Sequence, residues 1–368
     1  MRVVGVSPLG RAGGGEVLLI DILRGLAARG AEVRLALLGD GPLAELAAEA
    51  DIPFDLAPEF SLRVPRRFAA GVAAVRRSVS RLQPDVVLGN HPKGGVASWF
   101  GTLGTGIPRV VLLHDPPAST VADRFISRVS IRYVGVAAET AARVEQMARG
   151  ARPIVIPPGV DLAGVRSRAA RGNPEEAWQL AGLYGRRRVV MSARLQRFKG
   201  QFDFLELAER FGDDEASFLI TGPIDPAEPD LWSELEVAID QRGLAKRCGL
   251  AGRLDPADLA AVMSGADVFV HPARSETFGL AVVEALAVGT PVIAYASSGP
   301  SRILAGGGGV IVPVGNVAGL ERAVRSTFER LERGESVATE AVRAAEPFDI
   351  AAVTEAWFAY LAGVTGAR

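Results

Sequence analysis

Short runs of β-branched and aliphatic residues alternate with amphipathic stretches along the chain, and this alternation limits the folds that it can adopt. Val3 to Val6 and Val33 to Leu38 have the composition of buried strands. Between them, Glu16 to Arg29 places its large aliphatic residues on one face at helical spacing. Because strands and helices in succession are typical of βα units, the sequence predicts an α/β protein with parallel sheets.

The alternation is interrupted at IPPGVD, residues 156 to 161, where adjacent prolines and a glycine break regular structure. Strand candidates lie on both sides of it: Val3 to Val6, Val33 to Leu38, Val86 to Leu88, Val110 to Leu113 and Val134 to Val136 before it, and Val189 to Ser192, Ser217 to Thr221, Val268 to His271, Pro291 to Tyr295 and Val310 to Val312 after it. A chain of 368 residues exceeds one comfortable hydrophobic core. We therefore expect two α/β domains, residues 1–157 and 158–347, with a cleft between them.

Composition limits the partners that the chain can bind and the cell compartment in which we expect it. The formal net charge is −1, so the chain as a whole has no attraction for nucleic acid. One cysteine, Cys248, cannot form an internal disulfide, and we expect it to be a small buried residue. The first residues lack a secretory apolar segment, and no stretch reaches the roughly 18 apolar residues of a membrane span. These features predict a cytoplasmic protein that is at most peripheral to a membrane.

The most informative motif is SETFGLAVVEALAVGTPVIAY, residues 275 to 295, which follows a strand directly. The backbone N–H groups of Phe278, Gly279 and Leu280 would be free at a helix N-terminus, where anions bind. Glu276 precedes that helix, and Glu284 follows about two turns later, so the two carboxylates suit sugar hydroxyls. The ordinary alternative is an acidic helix cap and a solvated glutamate.

A second motif, SARLQRFKGQ at residues 192 to 201, also follows a strand. Arg194 and Lys199 share its loop, so both cations could converge on one doubly charged group such as a leaving diphosphate. A solvent-facing basic turn is the alternative. The sequence contains no DxD triplet and no other recognisable metal-ligand set, so we expect no metal ion and no other cofactor.

The first predicted strand leads into a glycine loop, Gly10 to Gly15, that is neither a dinucleotide fingerprint nor a P-loop. Such a loop lets a phosphate approach the backbone, although a turn without function is the simpler interpretation. His114 ends a strand and precedes Asp115, whereas His91 and Lys93 follow the strand before it. Strand ends face the predicted cleft, so we expect these four residues to lie near substrate, with structural histidines as the alternative.

Six arginines decorate a stretch that has helical apolar spacing: Arg63, Arg66, Arg67, Arg76, Arg77 and Arg81. An ordinary surface helix with its arginines pointing outward is one interpretation of this pattern. Contact with an anionic membrane or with a phosphorylated acceptor is the other.

Taken together, these motifs resemble family 4 of the retaining glycosyltransferases, which have the GT-B fold of two Rossmann-like domains facing a central cleft. The resemblance is carried mainly by residues 189 to 315. It implies that Arg194 and Lys199 clamp the donor diphosphate, that Glu276 contacts the donor sugar, and that Glu284 binds the nucleotide ribose. The amides of Phe278, Gly279 and Leu280 would complete these contacts.

The N-terminal half resembles the family through fewer residues. GGGE matches the family's GGxE loop and so implicates Gly13 and Gly14 in donor binding. His114 matches a histidine that commonly contacts the donor sugar near the reaction centre. The closing segment, residues 348 to 368, resembles the C-terminal helix that crosses back to the first domain. His91, Lys93 and Asp115 are the candidates for acceptor binding.

The chain departs from the family after its penultimate strand candidate. Where relatives often have GGxxE, this chain has SGPSRI, so Ser298 replaces a glycine and Arg302 replaces the acid. The diphosphate clamp is unaffected by this departure.

The resemblance implies retaining, metal-independent transfer of a sugar from a nucleotide-diphosphate donor, with UDP favoured over GDP. The acceptor would be a small molecule or a lipid-linked envelope precursor, and the enzyme a monomer or homodimer. Two alternatives remain: a nucleotide-sugar epimerase or hydrolase of the same fold, and a solute-binding protein without catalysis.

Overall fold

The computed structural model describes residues 1–11, 13–114 and 120–366. Within them the chain divides into two compact units. The first comprises Met1–Gly159 together with Ile350–Arg368, and the second comprises Val160–Asp349. The boundaries expected from the sequence, at 157 and 348, lie close to these positions.

The first unit is built on a seven-stranded parallel sheet. Its strands are β1 (Arg2–Ser7), β2 (Glu32–Leu38), β3 (Phe54–Ala57), β4 (Val86–Asn90), β5 (Arg109–Leu113), β6 (Arg132–Gly135) and β7 (Ile154–Val155), in the sheet order β3-β2-β1-β4-β5-β6-β7. Its helices are α1 (Gly14–Ala28), α2 (Pro42–Glu49), α3 (Pro65–Leu82), α4 (His91–Gly101), α5 (Val121–Ile126), α6 (Ala138–Met147) and the C-terminal helix, α16 (Ile350–Gly366).

The second unit has a six-stranded parallel sheet with the order β10-β9-β8-β11-β12-β13. These strands are β8 (Arg187–Ser192), β9 (Ala216–Thr221), β10 (Cys248–Gly252), β11 (Val268–His271), β12 (Val292–Tyr295) and β13 (Gly309–Val312). Its helices are α7 (Leu162–Ala169), α8 (Glu176–Leu180), α9 (Gln201–Glu209), α10 (Leu231–Gln241), α11 (Pro256–Ser264), α12 (Leu280–Ala287), α13 (Ser298–Ile303), α14 (Val317–Glu332) and α15 (Val337–Ala345). Short 3₁₀ helices cover Arg197–Lys199, Leu304–Gly306 and Glu346–Phe348.

Each sheet is covered by helices and buried on both faces, as the apolar character of its central strands requires. Each unit has two apolar clusters of its own. In the first unit the last helix contributes Val353, Trp357 and Leu361 to the cluster that contains the apolar face of α1. The predictions of parallel α/β units and of a C-terminal helix that returns to the first unit are therefore confirmed.

Cys248 is buried, as predicted. Among the described residues, no helix combines the length and the hydropathy needed to cross a bilayer. The arginine-rich segment does form a helix, α3, whose arginines are exposed, while Ala74, Val75 and Val79 face the core.

Candidate active site

In each sheet the strand order reverses direction once, and the loops at that point hold the predicted site residues. The reversal falls between β1 and β4 in the first sheet and between β8 and β11 in the second. In parallel α/β sheets, ligands bind at the carboxyl ends of the strands that flank such a switch point. The two switch points therefore define the candidate site in each unit.

In the second unit, Lys199 and Glu276 are brought together from the loops after β8 and β11. The Lys199 Nζ lies 2.7 Å from the Glu276 Oε2, and the His271 Nε2 lies 3.2 Å from the same oxygen. Burial opposes ionisation of this carboxyl group, but the His271 hydrogen bond and the charge of Lys199 outweigh it, and the pKa of Glu276 is lowered to about 2. Glu276 is therefore an ionised acceptor beside a fixed cation.

Glycines allow these loops to pack backbone against backbone. Gly200 has a φ of 83°, and a Cβ atom there would lie 2.1 Å from the carbonyl oxygen of Pro272. At Gly299, in the first turn of α13, a Cβ atom would lie 2.0 Å from the carbonyl oxygen of Phe278. The loops after β8, β11 and β12 are thus held in contact through positions where a side chain does not fit.

The N-terminus of α12 offers free donors beside Glu276. The helix begins at Leu280, after Gly279 at a φ of 93°, so Phe278 lies two residues before the first helical residue. The Phe278 ring is buried and packs edge-on against Phe348 at 5.8 Å. Within the described chain, the N–H groups of Phe278, Gly279 and Leu280 donate to no acceptor, so all three remain available to an anion.

Glu284 lies in the second turn of α12 and is half-buried. Burial raises the pKa of its carboxyl group, an effect that the more distant charge of Arg168 only partly offsets. Within residues 1–11, 13–114 and 120–366, no side chain or amide donates a hydrogen bond to this carboxylate. A half-buried carboxylate that accepts from no group of the described chain is free to accept from hydroxyls of a ligand.

Arg194 shares the loop with Lys199 but is paired with a different carboxylate. Its Nη1 lies 3.3 Å from the Asp225 Oδ2, and the Gln196 side-chain amide donates to the same oxygen at 2.7 Å. The prediction that Arg194 and Lys199 bind one diphosphate stays a prediction. Asp225, Gln196 and His271 were not predicted as site residues. The contacts of Asp225 form between loops of different strands and leave no local pattern, whereas His271 lies only five residues before Glu276, a spacing that could have indicated it.

The two residues that depart from the family pattern both contact the candidate site. The Ser298 hydroxyl donates to the Glu276 carbonyl oxygen at 3.4 Å. The Arg302 guanidinium lies 5.6 Å from the centre of the Phe278 ring and 5.8 Å from that of Phe348, at cation–π distance. The SGPSRI segment therefore supports the backbone and the aromatic ring of the Glu276 loop.

In the first unit, the carboxyl ends of β1, β4 and β5 bring together Glu16, Asn90, His91 and His114. The Glu16 Oε1 lies 3.1 Å from the His91 Nε2, and the Asn90 Oδ1 lies 2.6 Å from the His114 Nε2. The centres of the two imidazole rings are 4.6 Å apart. Neither Glu16 nor Asn90 was predicted as a site residue, although Glu16 closes the GGGE motif.

The three adjacent glycines have different surroundings. Gly13 precedes α1, and a Cβ atom there would lie 2.5 Å from the Glu16 carboxylate, whereas one on Gly14 would meet nothing within 4 Å. A Cβ atom on Gly15 would lie 2.8 Å from the His114 ring. The structure thus adds Gly15 to the predicted pair, because it admits the imidazole.

Burial, followed by the nearby charge of His91, lowers the pKa of His114 to about 3. The ring is therefore neutral at physiological pH and can exchange hydrogen bonds with a hydroxyl. His91 has a φ of 60°, a left-handed conformation that is uncommon for a residue other than glycine. Such outliers concentrate at functional sites.

Both histidines line a cavity of about 650 Å³ that lies within the first unit. Lys93 lines it as well, together with residues from the loops after β1, β3 and β5. Three of the four residues that the sequence placed near a substrate therefore share one cavity, which we call the first-sheet cavity. Asp115, the fourth, lies outside the described residues.

Comparison with known protein families assigns this architecture. Residues 12–163 match the model described as Glycosyltransferase Family 4, and residues 174–341 match the model described as Glycosyl transferases group 1. The chain belongs to the family 4, group 1 glycosyltransferases, as its motifs predicted. Among the described residues, no group of three His, Cys, Asp or Glu side chains is arranged to hold a metal ion.

Among curated proteins, the chain is 29% identical to a D-inositol 3-phosphate glycosyltransferase of Rhodococcus opacus, over 94% of this chain and 85% of that protein. It is 28% identical to the protein of that name from Mycobacterium marinum, over 85% of this chain and 73% of the other.

Solved structures confirm the GT-B fold. Anabaena HepE in complex with UDP aligns with a TM-score of 0.83 and 22% identity, over 99% of this chain and 100% of HepE. The sucrose-phosphate synthase of Thermosynechococcus elongatus aligns with a TM-score of 0.78 and 18% identity, over the full length of both chains.

Proposed function

We propose that this glycosyltransferase moves a sugar from a UDP-sugar to an acceptor hydroxyl or amine, with retention of the anomeric configuration and without a metal ion. The observation that carries the proposal is the cluster of Lys199, Glu276 and the free amides at the start of α12. UDP is the nucleotide bound by the structural relative HepE. A UDP-sugar therefore takes precedence over a GDP-sugar as the donor to be tested.

Each part of the cluster suits one part of the donor. As the bond between sugar and diphosphate breaks, negative charge grows on the diphosphate. Fixed cations and amides therefore stabilise the diphosphate more strongly in the transition state than in the bound substrate. Lys199 carries three donors and can bind a phosphate oxygen while it keeps its contact with Glu276. Arg194 would add the second charge.

The two glutamates would bind hydroxyl groups. Glu276, ionised and fixed by Lys199 and His271, accepts from hydroxyls of the transferred sugar. Glu284 accepts from the ribose, which supplies the donors that its carboxylate lacks in the described chain. An apolar pocket of about 330 Å³ that includes Trp232 and Gly222 adjoins the Arg194 loop and has the character to take a flat base.

Retention follows if the acceptor attacks the face of the sugar that the diphosphate leaves. The departing diphosphate oxygen then takes the proton of the acceptor, so no carboxylate nucleophile is required. The neutral His114 would position a substrate hydroxyl by hydrogen bonding. A nucleotide-sugar epimerase or hydrolase of this fold would use the same donor contacts, so product analysis must separate the possibilities.

The test combines donor binding with product analysis. In a thermal-shift titration, UDP and UDP-sugars should stabilise the protein, by about 2.7 kcal/mol at 100 times the dissociation constant. Proton NMR of the product should show the anomeric configuration of the donor. Three results would contradict the proposal: a product with inverted configuration, transfer that requires a divalent cation, or rapid release of free or epimerised sugar from the donor alone.

A further inference from the structure

The walls of the first-sheet cavity are largely apolar. Half of the fourteen described residues that line it are proline, leucine, valine or alanine, with Leu9, Leu62 and Val121 among them. Its volume of about 650 Å³ lies within the range of cavities that enclose ligands larger than a single sugar ring. A ligand that buries its surface here must offer apolar area to these walls.

Two cations, Arg63 and Lys93, line the same cavity, and neither forms an ion pair with a described residue. Among the described residues, no carboxylate lies within ion-pair distance of the Arg63 guanidinium or the Lys93 ammonium. The only described carboxylate in the lining belongs to Asp123. Its Oδ2 accepts from the Thr120 amide and hydroxyl at 2.8 and 2.7 Å, and the residue is 1% exposed. Its Oδ1 has no hydrogen-bond partner among the described residues, so Arg63, Lys93 and Asp123 together give the described lining one net positive charge.

The two imidazoles indicate where the reacting hydroxyl group of such a ligand would lie. His91 and His114 line the cavity where it meets the carboxyl ends of β4 and β5. The Glu16 carboxylate holds the ring of the first, and Asn90 holds the ring of the second. A hydroxyl group of the ligand placed there has hydrogen-bond partners in fixed positions.

We propose that the acceptor is a hydroxylated molecule with an apolar body and one acidic group, a carboxylate or a phosphate, which binds in the first-sheet cavity with its acidic group on Arg63 and Lys93. The inference rests on the proposed function. In the transfer, the bond from the sugar C1 to the diphosphate breaks, a bond from C1 to the acceptor oxygen forms, and the hydroxyl proton leaves with the diphosphate. An inositol phosphate, the acceptor in the name of the curated relatives, would leave the apolar walls uncovered.

A matched set of fragments tests this specificity on the full chain in the presence of UDP. Each apolar hydroxylated scaffold, aromatic or alicyclic, is prepared as a carboxylate, a phosphate monoester, a primary amide and an amine. Saturation-transfer NMR then ranks their binding, and myo-inositol 1-phosphate serves as the polar reference. We expect the acidic members to bind at least tenfold more tightly than their amides and amines, and more tightly than the inositol phosphate. The carboxylate and phosphate arms distinguish the two acids.

Substitutions test which residues bind the acidic group of the ligand. Arg63→Ala and Lys93→Ala should each weaken acid binding roughly tenfold and leave amide binding unchanged. The exposed residues Arg76 and Lys246 do not line the cavity, so Arg76→Ala and Lys246→Ala should change neither. All four substitutions are at exposed positions, and unchanged thermal stability confirms folding.

Four results would each overturn the inference. The acids and amides bind equally well, or the inositol phosphate binds best. Acid binding survives both cavity substitutions, or no fragment binds. UDP binding, measured in the same samples, keeps this failure separate from a failure of the proposed function. A protein that binds UDP but shows no acid preference overturns only the acceptor class.

Discussion

Lys199 is the residue on which the chemistry of the donor site depends most. Replacing it with alanine removes the cation from the diphosphate and should cost about 3 kcal/mol of transition-state stabilisation, roughly two orders of magnitude in turnover. Arg194→Ala should reduce turnover in the same direction. Steady-state kinetics with a UDP-sugar is the measurement.

Lysine is rare in this chain, which supplies a clean control. Lys246 is exposed, near the end of the segment between α10 and β10, and Lys246→Ala should behave as the wild type. Near-normal turnover of both Lys199→Ala and Arg194→Ala, with the fold retained, would exclude the cationic clamp.

His114 makes a prediction about pH. Because burial lowers its pKa to about 3, the folded ring stays neutral, whereas the unfolded ring takes up a proton near pH 6.5. Between these values the unfolded state binds more protons, so the first unit loses stability as the pH falls, by up to about 1.4 kcal/mol per pH unit. His114→Gln should flatten that dependence.

Histidine NMR checks the same group directly. The chain has only three histidines, so single substitutions assign their signals. The His114 ring should show no protonation shift between pH 8 and pH 5. A titration near pH 6.5 would mean that the ring is solvated and that its contacts with Asn90 and Gly15 do not form.

Among the elements, the contact between α13 and the loop after β11 is the one most sensitive to a single methyl group. In Gly299→Ala the Cβ atom would lie 2.0 Å from the Phe278 carbonyl oxygen, so the backbone must shift. We expect a loss of about 1–3 kcal/mol in stability and weaker UDP binding. Differential scanning fluorimetry with and without UDP measures both effects.

Gly306 is the matched control, since a Cβ atom there would meet nothing within 4 Å and its backbone is not left-handed. Gly306→Ala should leave stability and UDP binding unchanged. If the two variants behave alike, the packing of α13 on the Glu276 loop is not what positions that loop.

The sequence predicted ten of the strands but not β3, β7 and β10. β10 contains two glycines, β3 contains the charged Asp55, and β7 has only two residues, so none shows a run of β-branched residues. These strands are defined by their backbone pairing with a neighbouring strand, β9 for β10, β2 for β3 and β6 for β7, and not by their own composition. The site residues that were predicted lie in local motifs, whereas Asp225 and Asn90 gain their roles from the topology.

At the scale of the whole molecule, each unit carries its own core and its own candidate site at a strand-order reversal. The last helix belongs to the first unit, where Trp357 is 1% exposed. Trp357→Ala should destabilise the first unit by about 3–5 kcal/mol and leave the second unaffected. Hydrogen exchange monitored by mass spectrometry resolves the two units by peptide.

Tyr184 provides the control for this prediction, because its ring is 80% exposed in the second unit. Tyr184→Ala should alter exchange in neither unit. Faster exchange in residues 160–349 of the Trp357 variant would show that the two units do not unfold independently.

A crystal structure of the chain with UDP bound tests the central claim most directly. The account predicts that the diphosphate lies against the Lys199 ammonium and the amides of Gly279 and Leu280, with the ribose hydroxyls on Glu284. A diphosphate bound away from the loop after β8 and the N-terminus of α12 would contradict it.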